Sequence, residues 1–344
     1  MTAPGVAPSR LPLHLVSGFL GSGKTTLLRR LLDTPALADS AVLVNELGEI
    51  GLDHHLLRHL DGETVLLRSG CICCTVRDDL GQALKDLLDR RARGEVPPFL
   101  RIIVESTGLA DPVPILSTVT SEPMLRHHLR LGCVVTTVDA VNGALHLERQ
   151  PESGKQVAVA DRLVITKTDL AGPAVTEALA RRLRAINPGA TPFHAMATDL
   201  DLGALLTDAV SPNALRAEAL AWTSPAPRPG GLQSLPSHAA GLHSFCMVFG
   251  HAIDWVTLGI WLTMLLQAHG ERVLRVKGLL DIAGSAHPVF INGVQHVMHQ
   301  PLHLDGWPDG DRRSRLVFIV RDLPRDLIER SCRAFLGLVP EYAA

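Results

Sequence analysis

The stretch GFLGSGKTT, Gly18 to Thr26, sets its glycines, one lysine and two threonines in the order G-x-x-x-x-G-K-[ST], an arrangement able to wrap a polyphosphate. Glycines let the backbone close around phosphate oxygens, whose charge is met by successive N–H groups and by the positive end of the helix that follows. On this pattern Gly21, Ser22 and Gly23 are phosphate contacts and Lys24 is the cation that reaches the β and γ phosphates. Thr25 ligates Mg²⁺ through its hydroxyl, and Thr26 lies near the α phosphate. In ESTGLADP (105–112) a carboxylate closes an apolar run, so Glu105 is a candidate for the Mg²⁺ shell and for catalysis. Gly108 is the candidate sensor of the γ-phosphate through its N–H. ITKTD (165–169) ends another apolar run; Asp169 there can accept two hydrogen bonds from guanine that adenine cannot supply together, with Thr166 and the stem of Lys167 beside the base. In this order the three motifs predict a GTP site.

A second chemistry is suggested by SGCICC (69–74), which crowds Cys71, Cys73 and Cys74 just ahead of a helical pattern with Val76, Leu80, Leu84, Leu87 and Leu88 on one face. Thr75 is the expected N-cap, with Asp78 three residues on. Thiols near a helix N-terminus have lowered pKa values, which favours the thiolates that bind Zn²⁺, and three of them leave a tetrahedral ion one ligand short. The alternatives are a redox pair of Cys71 with Cys74, and simple packing; the setting between a phosphate loop and T-K-x-D fits metal ligation better. Cys133 and Cys246, in apolar runs, and Cys332, in a closing helical pattern, are expected to pack.

The elements that must position these residues alternate. Apolar runs at LPLHLVSGF, SAVLVNE, ETVLLRS, LRIIVEST, LGCVVTTVDA, DRLVITK and TPFHAMA are spaced by helical patterns starting at Lys24, Val76 and Glu177. Strands apolar on both faces and separated by helices predict an α/β domain with a mostly parallel sheet, over residues 10–207. A Pro, Gly and Ser-rich stretch over 208–240 is expected to be a linker. A small α+β domain follows over 241–340, with strands at GLHSFCMVFG, ERVLRVKGLLDIAG, HPVFINGVQHVMHQ and RSRLVFIVRDL, a helix capped by Asp254, and a final helix PRDLIERSCRAFL.

Across 344 residues the formal net charge is −2, with both signs interspersed, and only 4% of residues are aromatic, which argues against nucleic acid or an anionic membrane surface as partner. The longest apolar run, WVTLGIWLTMLL, is too short to span a bilayer, and no export signal opens the chain, so a cytoplasmic location is expected.

Taken together, GFLGSGKTT, VNELGEIGLD, SGCICC, ESTGLADP and ITKTD, followed by RVKGLL, INGVQ and RLVFI, closely resemble the CobW-like family of metal-handling P-loop GTPases, which includes the zinc-regulated metallochaperones. The resemblance spans about residues 11 to 335. It implies a GTPase of low intrinsic turnover that binds Zn²⁺, and in some members Co²⁺, and uses the nucleotide to deliver metal to a client metalloprotein. By the same resemblance Cys71, Cys73 and Cys74 are metal ligands, Gly21 to Thr26 contact phosphate and Mg²⁺, and Lys167 and Asp169 read the base. NELGE takes the place of the family's switch segment. Glu46 is thus a candidate for catalysis and Glu49 for completing the metal shell, unless both are plain surface carboxylates. The alternative reading is a cobalt-handling accessory factor in cobalamin synthesis or in maturation of one metalloenzyme. Whether the chain forms a homo-oligomer is left open by the sequence. The long histidine-rich loop of some members is absent; His296, His299 and His303 would not share one face of a strand.

Overall fold

Strand β1 (Leu11–Gly18) is buried from Leu13 onward on both its faces, as a central strand between two helical layers must be. The computed structural model describes residues 10–44, 76–190, 192–197, 200–206, 241–308 and 310–337, with the side chains of 36 and 76–79 excepted. β1 pairs in parallel with β3 (Arg101–Glu105) and β4 (Leu129–Asp139); β2 (Ser40–Val44), β5 (Arg162–Thr166) and β6 (Pro192–His194) complete a six-stranded parallel sheet in the order β2-β3-β1-β4-β5-β6. Helices α1 (Lys24–Leu32), α2 (Val76–Ala92), α3 (Pro112–Ser121), α4 (Pro123–His128), α5 (Gly143–Arg149), α6 (Pro151–Val159), α7 (Pro173–Ile186) and α8 (Leu202–Leu205) belong to this unit.

The period-2 pleat sorts the strand residues between two cores. Leu13, Leu15, Ile102 and Val104 pack with Leu84 and Leu87 of α2 and Ile115 and Val119 of α3. Val16, Ile103 and Val135 pack with Leu27, Leu28 and Leu31 of α1. Because the strands run in one direction, β1, β3, β4 and β5 all deliver their carboxyl ends, Gly18, Glu105, Asp139 and Thr166, to one edge of the sheet, where ligands of open α/β sheets bind.

The second unit is an antiparallel sheet of β7 (Leu242–Phe249), β8 (Val273–Leu280), β9 (Val289–Val294), β10 (Val297–Met298), β11 (Leu302–His303) and β12 (Ser314–Arg321), ordered β10-β9-β8-β12-β7 with β11 paired to β9. Trp261, Leu262, Leu265 and Leu266 of α9 (Trp255–His269) and Ile328 and Cys332 of α10 (Arg325–Leu336) share one core with Phe249, Val276 and Phe318 of the sheet. Asp254 caps α9, accepting from Thr257 N at 2.8 Å, as the sequence predicts.

Leu242, Leu274 and Ile319 of the second sheet join the core formed by Val157, Ala158, Leu179 and Leu183 of the first unit. At the same junction Asp161 is buried against two cations of β8. Arg275 donates to its Oδ1 and to the Val159 carbonyl, Lys277 Nζ lies 3.5 Å from Oδ1, and Val134 N donates to Oδ2 at 2.9 Å. Burial by itself would raise the Asp161 carboxyl; Arg275, Lys277 and His299 hold it well below the usual carboxylate range.

Three differences from the sequence expectations stand out. HPVFINGVQHVMHQ is two strands rather than one, because Gln295, at φ 49°, turns the chain so that Val294 pairs with Val297. Helices α3 to α6 were not anticipated. Their apolar stretches are short, but Pro112, Pro123 and Pro151 stand at the first helical position of α3, α4 and α6, where the missing N–H costs nothing, a start signal legible in the sequence. Cys133 and Cys332 are buried as expected, whereas Cys246 is exposed: strand alternation turns it away from the face that buries Phe245 and Met247. The run ETVLLRS, the Thr75 cap and the 208–240 stretch lie outside the described residues.

Candidate nucleotide site

Between β1 and α1 the chain makes its turn through glycines whose geometry other residues resist. Gly18, at φ 139°, abuts Thr137, so that a Cβ would run into both Oγ1 and O of that residue. Gly23 caps α1 in the left-handed region at φ 89°. The loop between them is held from two neighbouring strands: Ser22 Oγ lies 2.7 Å from Thr137 Oγ1 of β4, and Thr166 Oγ1 of β5 donates to Ser22 O at 2.7 Å.

Lys24 is buried, and its Nζ donates to Gly18 O at 3.0 Å and Phe19 O at 3.1 Å. Burial lowers its pKa, against which the Glu105 charge acts. Thr25 Oγ1 donates to Glu105 Oε1 at 2.6 Å, which joins the first turn of α1 to the buried end of β3. Beyond Glu105, Gly108 lies against the phosphate loop so closely that a Cβ would fall 2.6 Å from Leu20 N and 2.7 Å from Leu20 Cα. Backbone cannot give way as a side-chain tip can. Gly108→Ala should therefore lower the melting midpoint, by about 1–3 kcal/mol of stability, and weaken binding of a GTP analogue; wild-type values for both would show that the two loops are not interlocked.

At the end of β5, Lys167 takes a left-handed conformation, φ 55°, and its Nζ donates to Asp139 Oδ2 at 2.7 Å. Asp139 in turn accepts from Val141 N at 2.7 Å and Asn142 N at 3.3 Å through Oδ1. Burial alone would raise the Asp139 pKa; these donors bring it below the usual value. Asp169 is exposed, in a turn closed by Leu170 N donating to Lys167 O at 3.1 Å.

The structure thus gathers Gly21, Ser22, Gly23, Lys24, Thr25, Thr26, Glu105, Gly108, Thr166, Lys167 and Asp169 at the carboxyl edge of one parallel sheet. Glu46, Glu49, Cys71, Cys73 and Cys74 lie outside the described residues; the chain reaches Val44 paired with Glu105 and resumes at Val76 at the head of α2. Among the described residues no three His, Cys, Asp or Glu side chains converge as a metal cluster. Sequence reasoning missed Asp139, which closes β4 as Glu105 closes β3 and was findable by that likeness.

Residues 12–194 match the family profile described as CobW/HypB/UreG, nucleotide-binding domain, and residues 242–336 match the Cobalamin synthesis protein cobW C-terminal domain. The chain belongs to the CobW-like family of P-loop GTPases. This CobW-like chain is 34% identical over 328 residues to the zinc chaperone YjiA of Escherichia coli, covering 95% of this chain and 98% of that one. The zinc chaperone CobW of Pseudomonas aeruginosa is 28% identical over 360 residues, covering 96% of this chain and 92% of its own. The crystal structure of Zn(II)-bound YjiA GTPase from E. coli superposes with a TM-score of 0.70 at 27% identity, covering 95% of this chain and 99% of that one. Among the described residues of the CobW-like chain no helix is long and apolar enough to cross a membrane.

Proposed function

We propose that this protein is a cytoplasmic, GTP-dependent metal chaperone that hydrolyses GTP slowly, holds Zn²⁺ through Cys71, Cys73 and Cys74, and hands it to a client metalloprotein. The observation that carries the reading is the Thr25–Glu105 hydrogen bond at the mouth of the phosphate loop, in a chain so similar to a zinc chaperone along its whole length. Two hard oxygens brought together at a helix start and a strand end suit Mg²⁺, which when bound neutralises charge on the phosphate oxygens. The backbone of Gly21 to Thr26 cradles the phosphates, Lys24 meets the charge that builds on them, and Glu105 or Glu46 orients the attacking water. Gly108 reports the γ-phosphate, while Thr166, Lys167 and Asp169 select guanine.

In this reading residues 10–207 are the GTPase domain, 208–240 the linker and 241–340 the C-terminal domain. The thiols lie in sequence between the Glu46 segment and the 105–111 loop, the two segments expected to respond to the γ-phosphate, so nucleotide state and metal affinity are coupled. Glu49 supplies the fourth ligand.

The test is equilibrium dialysis of the full-length chain against Zn²⁺, beside the triple variant Cys71→Ser, Cys73→Ser, Cys74→Ser, with GTP turnover measured in both. The variant is expected to lose its tightly bound zinc and keep its basal GTP turnover. Zinc should also tighten GTP binding by the factor by which GTP tightens zinc, about 5–150-fold. Unchanged zinc in the variant sinks the cargo site; equal GTP affinities with and without zinc sink the coupling. The matched profile's name, cobalamin synthesis, makes Co²⁺ the second reading; competition between the two ions in the same dialysis decides it.

A further inference from the structure

Helix α6 touches both the nucleotide loops and the C-terminal sheet, and two consecutive residues on it grip the segment that follows Glu105. Gln156, 1% exposed, donates through Nε2 to Gly108 O at 3.0 Å and to Ala110 O at 3.1 Å. Lys155 Nζ donates to Asp111 Oδ2 at 3.1 Å, while Asp111 Oδ1 accepts from Val113 N at 3.0 Å and so caps α3. A primary amide is the neutral side chain that offers two N–H groups from one nitrogen, so it satisfies two carbonyls without burying a charge. The helix itself is anchored to β4, since Thr136 Oγ1 donates to Gln156 O at 3.0 Å.

The other side of α6 belongs to the second unit. Arg321 donates to Pro151 O at 3.0 Å at the start of the helix, and Arg275 donates to Val159 O at its end. Between them Leu242 packs on Gly154, where a Cβ would fall 2.6 Å from Leu242 Cδ1. The second unit also packs on α7 and on Asp161, but α6 is the helix at this junction whose polar side chains reach the 105–111 loop.

We propose that Gln156, assisted by Lys155, is the positioning residue that sets the 105–111 loop for the γ-phosphate, and that α6 passes the seating of the C-terminal sheet to that loop. The inference rests on the GTPase reading above. Its consequence is that contacts on the C-terminal unit change discrimination between GTP and GDP without touching either nucleotide.

The test uses the full-length chain and compares affinities for GDP and for a non-hydrolysable GTP analogue, with GTP turnover. Gln156→Ala is expected to weaken the analogue and lower kcat by about tenfold, the loss of two hydrogen bonds to the loop, with GDP affinity within about twofold of wild type. Gln156→Glu, which sets a carboxylate against two carbonyl oxygens, should do at least as much. Lys155→Ala, at a partly exposed site, should shift the GTP-to-GDP ratio in the same direction without lowering the melting midpoint, and carries the test if the buried variants melt early. Parallel losses for GDP and the analogue in Gln156→Ala, or a wild-type ratio in Lys155→Ala, would overturn the positioning role. A wild-type ratio in Arg321→Ala would overturn the relay from the C-terminal sheet. Failure of the wild-type chain to bind GTP would instead overturn the GTPase reading on its own.

Discussion

Replacing Lys24 with alanine is expected to reduce single-turnover GTP hydrolysis by about 10²–10³-fold, the loss that follows removal of one preorganised electrostatic contact to the reacting centre. The phosphate loop itself should survive the change. Gly18 and Gly23 set its path, and Ser22 is held by Thr137 and Thr166, none of which depends on the lysine. What is lost is a buried cation whose Nζ rests on the carbonyls of Gly18 and Phe19, within the loop proposed to receive the phosphates. Lys24 is buried, so little water screens the charge it presents. Lys24→Arg should not rescue the rate, because a planar guanidinium does not fit the point where an ammonium is held by two carbonyls. Wild-type turnover in Lys24→Ala would place the catalytic cation elsewhere.

Asp161→Ala should destabilise the chain by about 3–5 kcal/mol, because it removes the carboxylate that faces the buried cations Arg275 and Lys277 at the junction of the two sheets. The same site makes stability depend on pH. The folded-state pKa of Asp161 lies below its unfolded value of 3.8, so the carboxylate's contribution is fully present above about pH 4 and is lost as the pH falls below that toward the lowered folded value. Urea unfolding at neutral pH measures the first effect, and melting midpoints between pH 6 and pH 3 measure the second. In Asp161→Ala the acid-side slope should flatten. Removing the cation as well, in Asp161→Ala with Arg275→Met, should cost less than the sum of the two single changes, since each single change breaks the same ion pair. An Asp161→Ala chain with the wild-type urea midpoint would show that the junction is held by its apolar contacts alone.

The two sites differ in how far the chain foretells them. The proposed phosphate cradle is written in contiguous residues: Gly18, Gly23, Lys24 and Thr25 set a backbone turn and a helix start, both local properties. Glu105 and the T-K-x-D segment were legible for another reason. Apolar strands spaced by helices must run parallel, so their last residues share one edge whichever order the strands take. The Asp254 cap and the two-unit pattern of strands follow from equally local signals.

Only the tertiary structure decided which distant side chains meet. Lys167 finds Asp139 across 28 residues, Gln156 finds Gly108 across 48, and Arg275 finds Asp161 across 114. Each meeting depends on strand register and on which neighbour a helix packs against, and neither is encoded in the spacing around the residue itself. In the sequence Arg275 and Lys277 are two charges in an apolar run, with no mark to distinguish solvated ends from a buried pair. Residue type and local spacing thus determined what chemistry the chain can do and at which edge of the sheet. The tertiary packing decided that α6 lies between that edge and the second sheet, because long-range contacts are chosen by the summed burial of the whole fold and not by any one segment.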